Sequence, residues 1–192
     1  MRKLTLNEEL KILWKLREKQ SFVGAGSSRA VYKLNATTVV KIAIDKAGRT
    51  QNKREVEIFK DFGGQYLAKI YAYGTSIVLM EVIDPLYLDY YEELLSMVEG
   101  NLITENQFEH IDEILDFLAD INGDTEDNLQ LGYNRFGVPV SYDYGFDVDI
   151  EENVSNSLCD LVYKDDYLYP VNYIYSRLVR IKRFLVFSYK TS

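Results

Sequence analysis

Residues 37–44, Thr-Thr-Val-Val-Lys-Ile-Ala-Ile, are rich in β-branched side chains and read as a buried strand, yet they carry a lysine in their middle, Lys41. An unpaired ammonium inside an apolar layer is costly. The chain has two ways to place it. Either Lys41 lies on the wet face of an edge strand, or a carboxylate is carried over the sheet to meet it. Glu55, in Lys53-Arg-Glu-Val-Glu-Ile-Phe on the following helix, can supply that partner.

The elements around this strand follow from periodicity. Thr5 and Glu8 form a capping box, and Leu6, Leu10, Leu13, Trp14 and Leu16 follow at helical spacing, predicting an amphipathic helix over 5–19. Residues 22–35 predict a strand, a Gly-rich turn and a strand. A helix is expected over about 50–62, then strands over 66–74 and 76–83. Asp84-Pro85 breaks the pattern, and residues 83–86 read as a hinge. Beyond it come helices over 86–100 and 104–123, the second opened by Thr104 and Gln107, then short strands flanking a turn at 136–137. Residues 171–187 are basic and amphipathic and read as a closing helix, with Arg177, Arg180, Lys182 and Arg183 outside. The fold class predicted is α+β: an antiparallel-sheet unit over 1–83 and a mainly helical unit over 84–192.

Composition removes several function classes. A single cysteine, Cys159, forbids an internal disulfide, and with a single histidine, His110, no His/Cys metal cluster can form. His110 sits mid-helix beside Glu109 and Asp112, with no nucleophile elbow, so a hydrolase is not expected. No stretch approaches a membrane span, and the charged N-terminus lacks the apolar core of a signal peptide. The expected compartment is the cytoplasm. A net charge of −8 argues against general nucleic-acid binding. The charge is uneven: residues 1–60 carry 14 Lys and Arg against 6 Asp and Glu, whereas residues 61–166 carry 3 against 24. One interpretation is a solvated acidic surface. The other is a basic half that holds an anion against an acidic half that holds a metal.

Two further segments carry chemistry. Gly24-Ala25-Gly26-Ser27-Ser28-Arg29 lies between two strands, where glycines let backbone N–H groups approach a phosphate. The strand that follows argues against a dinucleotide fingerprint, which needs a helix there. In Ser141-Tyr142-Asp143-Tyr144-Gly145 an aspartate ends an apolar strand, as a turn residue or as a metal ligand.

Taken in order, these segments resemble the protein-kinase-like superfamily. Val23-Gly-Ala-Gly-Ser-Ser-Arg-Ala-Val-Tyr-Lys33 is similar to its Gly-rich loop, Lys41 to its phosphate-holding lysine and Glu55 to the helix glutamate that pairs with it. Met80 is similar to the gatekeeper, with Glu81 and Val82 after it, and Asp143-Tyr144-Gly145 to Asp-Phe-Gly. The wording also resembles small kinase-like proteins encoded by bacteriophages, over about residues 20–147. The resemblance implies a two-lobed fold with a cleft that binds ATP and Mg²⁺. Gly24, Gly26, Ser27, Ser28, Lys41, Glu55, Met80, Glu81 and Val82 would surround the nucleotide, and Asp143 would carry the metal. Gln130 stands where the family places its metal-binding Asn, and Asp124 or Asp127 is the candidate catalytic base beside Lys41.

The departures from the pattern shape the function expected. Arg29 replaces the third glycine, the His-Arg-Asp loop is not recognisable, and the chain after Gly145 is too short for a peptide-substrate platform. Three readings follow: a phosphotransferase of reduced activity acting on a host protein Ser or Thr; a catalytically impaired pseudokinase that binds a host protein; or a structural protein reusing the fold, with Arg29 filling the phosphate site.

Overall fold

A computed structural model describes residues 1–19, 21–26, 28–86, 91–122, 130–144 and 169–190. The chain is α+β, and among the described residues it contains five helices and nine strands. In order they are β1 (Arg2–Lys3), α1 (Leu6–Lys19), β2 (Phe22–Ala25), β3 (Arg29–Lys33), β4 (Thr38–Ala43), α2 (Lys46–Phe62), β5 (Ile70–Tyr73) and β6 (Ile77–Glu81). There follow β7 (Asp84–Pro85), α3 (Tyr91–Glu99), α4 (Glu105–Asn122), β8 (Leu131–Tyr133), β9 (Pro139–Ser141) and α5 (Tyr169–Lys190).

Local chemistry sets the boundaries. Thr5 Oγ1 accepts from the Glu8 N–H, and Glu8 Oε2 accepts from the Thr5 N–H at 2.8 Å, starting α1. Thr104 and Gln107 make the same exchange at α4. Helix α2 begins earlier than its periodicity suggests, because Asp45 caps it by accepting from the Gly48 N–H at 2.7 Å. It ends at Gly63, whose φ of 67° is open to glycine at little cost.

The main sheet runs β1-β5-β6-β4-β3-β2. The expectation of a wholly antiparallel sheet is corrected here. Strand β1 lies parallel to β5, held by Leu4 N–H donating to the Tyr73 carbonyl at 2.7 Å and by burial of Leu4. The expected hinge at 83–86 is also a strand: β7 pairs with β8 in a second sheet, β7-β8-β9.

Alternation along β4 and β6 divides the core. Val40, Ile42 and Ile77 face α1 and α5, where Leu13, Leu16, Val171, Ile174 and Leu178 are buried. Val78 and Met80 face α2, α3, α4 and the second sheet, with Val56, Leu94, Ile111, Ile114 and Leu131. Each such aliphatic side chain contributes roughly 1.5–3 kcal/mol on burial. Helix α5 therefore packs on α1, behind the sheet that carries Lys41, and Arg177, Arg180 and Lys182 are exposed on its outer side. Among the described residues no helix is long and apolar enough to cross a membrane.

Candidate functional site

Lys41 lies opposite Val31 on one side and Val78 on the other, so its strand is internal. The side chain emerges on the α2 face and is only 4% exposed. Helix α2 places Glu55 over it, and Glu55 Oε1 accepts from Lys41 Nζ at 2.6 Å. The other two ammonium directions are taken by the Tyr142 carbonyl at 2.6 Å and Asp143 Oδ1 at 3.5 Å. The wet-face alternative for Lys41 is thereby corrected.

Arg29, the first residue of β3, joins the same group. Its Nη1 lies 2.9 Å from Glu55 Oε1 and its Nη2 pairs with Asp143 Oδ1. Asn52 Oδ1 accepts from Nη1 at 3.3 Å, while the Asn52 amide donates to the Ser76 carbonyl. Two cations and two carboxylates thus form a neutral quartet spanning β3, β4, α2 and the segment after β9. Asp143 alone is open to solvent, its side chain 35% exposed against 7% or less for the others. Glu55 Oε2 is buried without a hydrogen-bond partner among the described residues.

The electrostatics follow from burial and pairing. Burial raises the Glu55 carboxyl above its ordinary range, outweighing Arg29 and Lys41. Burial pushes Asp143 in the same direction, but Arg29 and Lys41 prevail and hold it well below the usual carboxylate range. Burial would lower Arg29, and the attraction of Asp143 and Glu55 holds it above its ordinary value instead.

Asp143 is positioned from several sides. Ser141 is tied to the Tyr66–Ala68 segment by two backbone hydrogen bonds, and Tyr142 N–H donates to the Gln130 carbonyl at 3.0 Å. Tyr144 is buried, and its hydroxyl donates to the Ala68 carbonyl at 3.1 Å. Gln130 therefore lies opposite Tyr142, one residue from Asp143.

The other predicted residues fall into distinct settings. Gly24 and Gly26 border open space: a Cβ on either would meet nothing within 4 Å, and neither has a positive φ. Ser28, expected over the phosphates, is buried instead, and its hydroxyl donates to Gln51 Oε1 at 2.8 Å. The cause is close packing of the turn on α2, where a Cβ on Gly48 would collide with the Ser28 carbonyl oxygen. Met80 is a core residue opposite Val39. The N–H groups of Glu81 and Val82, residues expected around the nucleotide, donate to the Lys69 and Thr37 carbonyls at 2.9 and 3.1 Å. Glu81 and Val82 instead line an open cleft of about 380 Å³ with Thr37, Tyr71, Asp84 and Tyr133. His110 is partly buried against Tyr66, its Nδ1 3.6 Å from Glu113 Oε2. Ser27, Asp124, Asp127, Gly145 and Cys159 lie outside the described residues.

Gln51 and Asn52 are the site residues that sequence reasoning missed. The available signal was their spacing: with Gly48 and Glu55 they make a small and polar stripe on the buried face of α2. Chemically, the arrangement gathers two paired cations, and Lys41 lies in register with Val31 and, one strand further, with Gly24 of the open turn. Among the described residues it does not fit a divalent cation, because Asp143 Oδ1 already takes Arg29 and Lys41 and the quartet carries no excess negative charge. The chain matches no protein-family model and no curated protein.

Proposed function

We propose that the chain is a protein-kinase-like nucleotide-binding protein, impaired in phosphoryl transfer, acting as a binding module. The observation that carries this reading is Lys41 held between Glu55 and Asp143, in sheet register with Val31 and, one strand further, with Gly24. In kinase-like sites a lysine so placed grips the α- and β-phosphates, and the helix glutamate keeps it aimed. Here Lys41 would take the phosphates at the solvent-open flank of Asp143, with the backbone around Gly24 and Gly26 closing over them. The buried Arg29 is what sets this site apart and supports a binding role over efficient transfer.

The test is thermal unfolding with and without saturating ATP. A ligand at 100 times its Kd stabilises by about 2.7 kcal/mol, which for this size is on the order of 5–10 °C. Lys41→Ala is expected to abolish the shift, judged against its own unliganded melt. A folded wild type that shows no shift refutes the nucleotide reading. Transfer of labelled phosphate at an ordinary kinase rate of roughly 1–100 per second refutes the impairment.

A further inference from the structure

We propose that Arg29 takes the place of the divalent cation in this site, so that nucleoside triphosphate binds without a metal. The inference rests on the nucleotide reading above and deepens it.

Arg29 is not a surface side chain that happens to reach Asp143. It is 6% exposed, starts a strand paired to β4, and is fixed by Glu55 and Asn52 as well as by Asp143. A metal ligated by Asp143 normally does two things: it satisfies the aspartate and it brings positive charge to the phosphates. The guanidinium does the first already, by pairing with Asp143 Oδ1. It can do the second, since Arg matches phosphate oxygens with a planar fork of donors. A dication added here would meet two fixed cations and no uncompensated anion. An incoming phosphate meets both cations in competition with Asp143, their partly exposed partner. Asp143 is the solvent-exposed member, and its 3.5 Å contact with Lys41 is the loosest of the quartet. Phosphate oxygens arriving on that flank displace the Asp143 carboxylate from Lys41, while its pairing with Arg29 and the contacts of Glu55 stay in place.

The experiment is a fluorescence titration of the full chain with a ribose-labelled ATP analogue, in EDTA and in excess Mg²⁺. The expected Kd values agree within about threefold. Mg²⁺ tightening wild-type binding by more than about tenfold overturns the inference while leaving the nucleotide reading intact. No binding in either buffer overturns the nucleotide reading, and the inference with it. In Arg29→Gln, binding in EDTA is expected to weaken by about tenfold or more and to be restored by Mg²⁺. Equal metal-free binding by a folded Arg29→Gln refutes the substitution of side chain for metal. Should that variant unfold, Asp143→Asn decides. It removes the anion that competes for Arg29 and Lys41, so binding in EDTA is expected to tighten by about threefold or more; no tightening in EDTA, with a loss of about threefold or more in Mg²⁺, marks Asp143 as a metal ligand and overturns the inference.

Discussion

Replacing Glu55 by alanine tests whether the quartet is held by charge. Glu55 is fully buried and is the anion shared by Lys41 and Arg29, at 2.6 and 2.9 Å. Without it, two cations each less than a tenth exposed have Asp143 as their remaining anion, and that carboxylate is partly solvated. Removing one partner of a buried pair costs about 3–5 kcal/mol, because the survivor keeps its desolvation penalty. In a domain of this size that is roughly 6–20 °C in Tm. Urea unfolding should show a lower midpoint with an unchanged slope. Glu55→Gln keeps the shape and removes the charge, so it should lose nearly as much. The cycle with Arg29→Ala isolates the pair: the double variant should fall short of the summed losses by about 0.5–3 kcal/mol. A Glu55→Ala loss below about 1 kcal/mol, the value of an exposed pair, or a strictly additive double variant, refutes the reasoning.

Other positions test the supports of the site. Gly48→Ala drives a Cβ into the Ser28 carbonyl, and is expected to cost about 1–3 kcal/mol and to weaken nucleotide binding; an unchanged urea midpoint would show that the turn is not clamped to α2. Tyr144→Phe removes the hydroxyl that donates to Ala68, for an expected loss of about 0.5–1.5 kcal/mol by chemical denaturation; a neutral result would remove this bond from the anchoring of Asp143. Glu8, bonded to Thr5 and Arg2 at the start of α1, is lowered from 4.5 to about 2. A lowered carboxylate stabilises the fold above its unfolded pKa and loses that contribution as pH falls, here between about 4.5 and 2. Glu8→Gln should therefore flatten Tm against pH in that window, by a small amount because the residue is exposed; parallel curves for the two proteins would refute the assignment.

Much of the frame was legible because its signals are local. The capping boxes at Thr5 and Thr104 set helix starts, and the β-branched run around Lys41 marked a strand whose buried ammonium called for Glu55. What escaped is non-local. The pairing of Arg2 and Lys3 beside β5 has no sequence signal, since it depends on α1 folding back across the sheet. The Asp84-Pro85 strand escaped because a proline at a break reads as a hinge, and only the β8–β9 hairpin supplies its partner. In the site, Lys41 demanded a carboxylate whatever the fold. The burial of Ser28 and the pairing of Arg29 depend on the turn lying tightly on Gly48, Gln51 and Asn52, a contact between segments about twenty residues apart.

The uneven charge of the chain takes on a specific meaning at this point. A basic first third and an acidic middle suggested an anion held by one and a metal by the other. In the quartet the two regions meet directly: Arg29 and Lys41 from the first reach across to Asp143 from the second. One carboxylate of the acidic region, Asp143, thus joins the β8–β9 hairpin to the main sheet. An ion pair of this kind contributes little net stability once desolvation is counted, but it is strict about partners, since losing either member strands the other. That strictness couples the turn bearing Gly24 and Gly26 to the position of Asp143. A phosphate ligand that draws Asp143 off Lys41 is therefore expected to loosen the join between sheet and hairpin. Hydrogen exchange on Ser141 and Tyr142, whose amides bond to Tyr66 and Gln130, should quicken on ATP binding; an unchanged rate with ATP bound would sever that coupling.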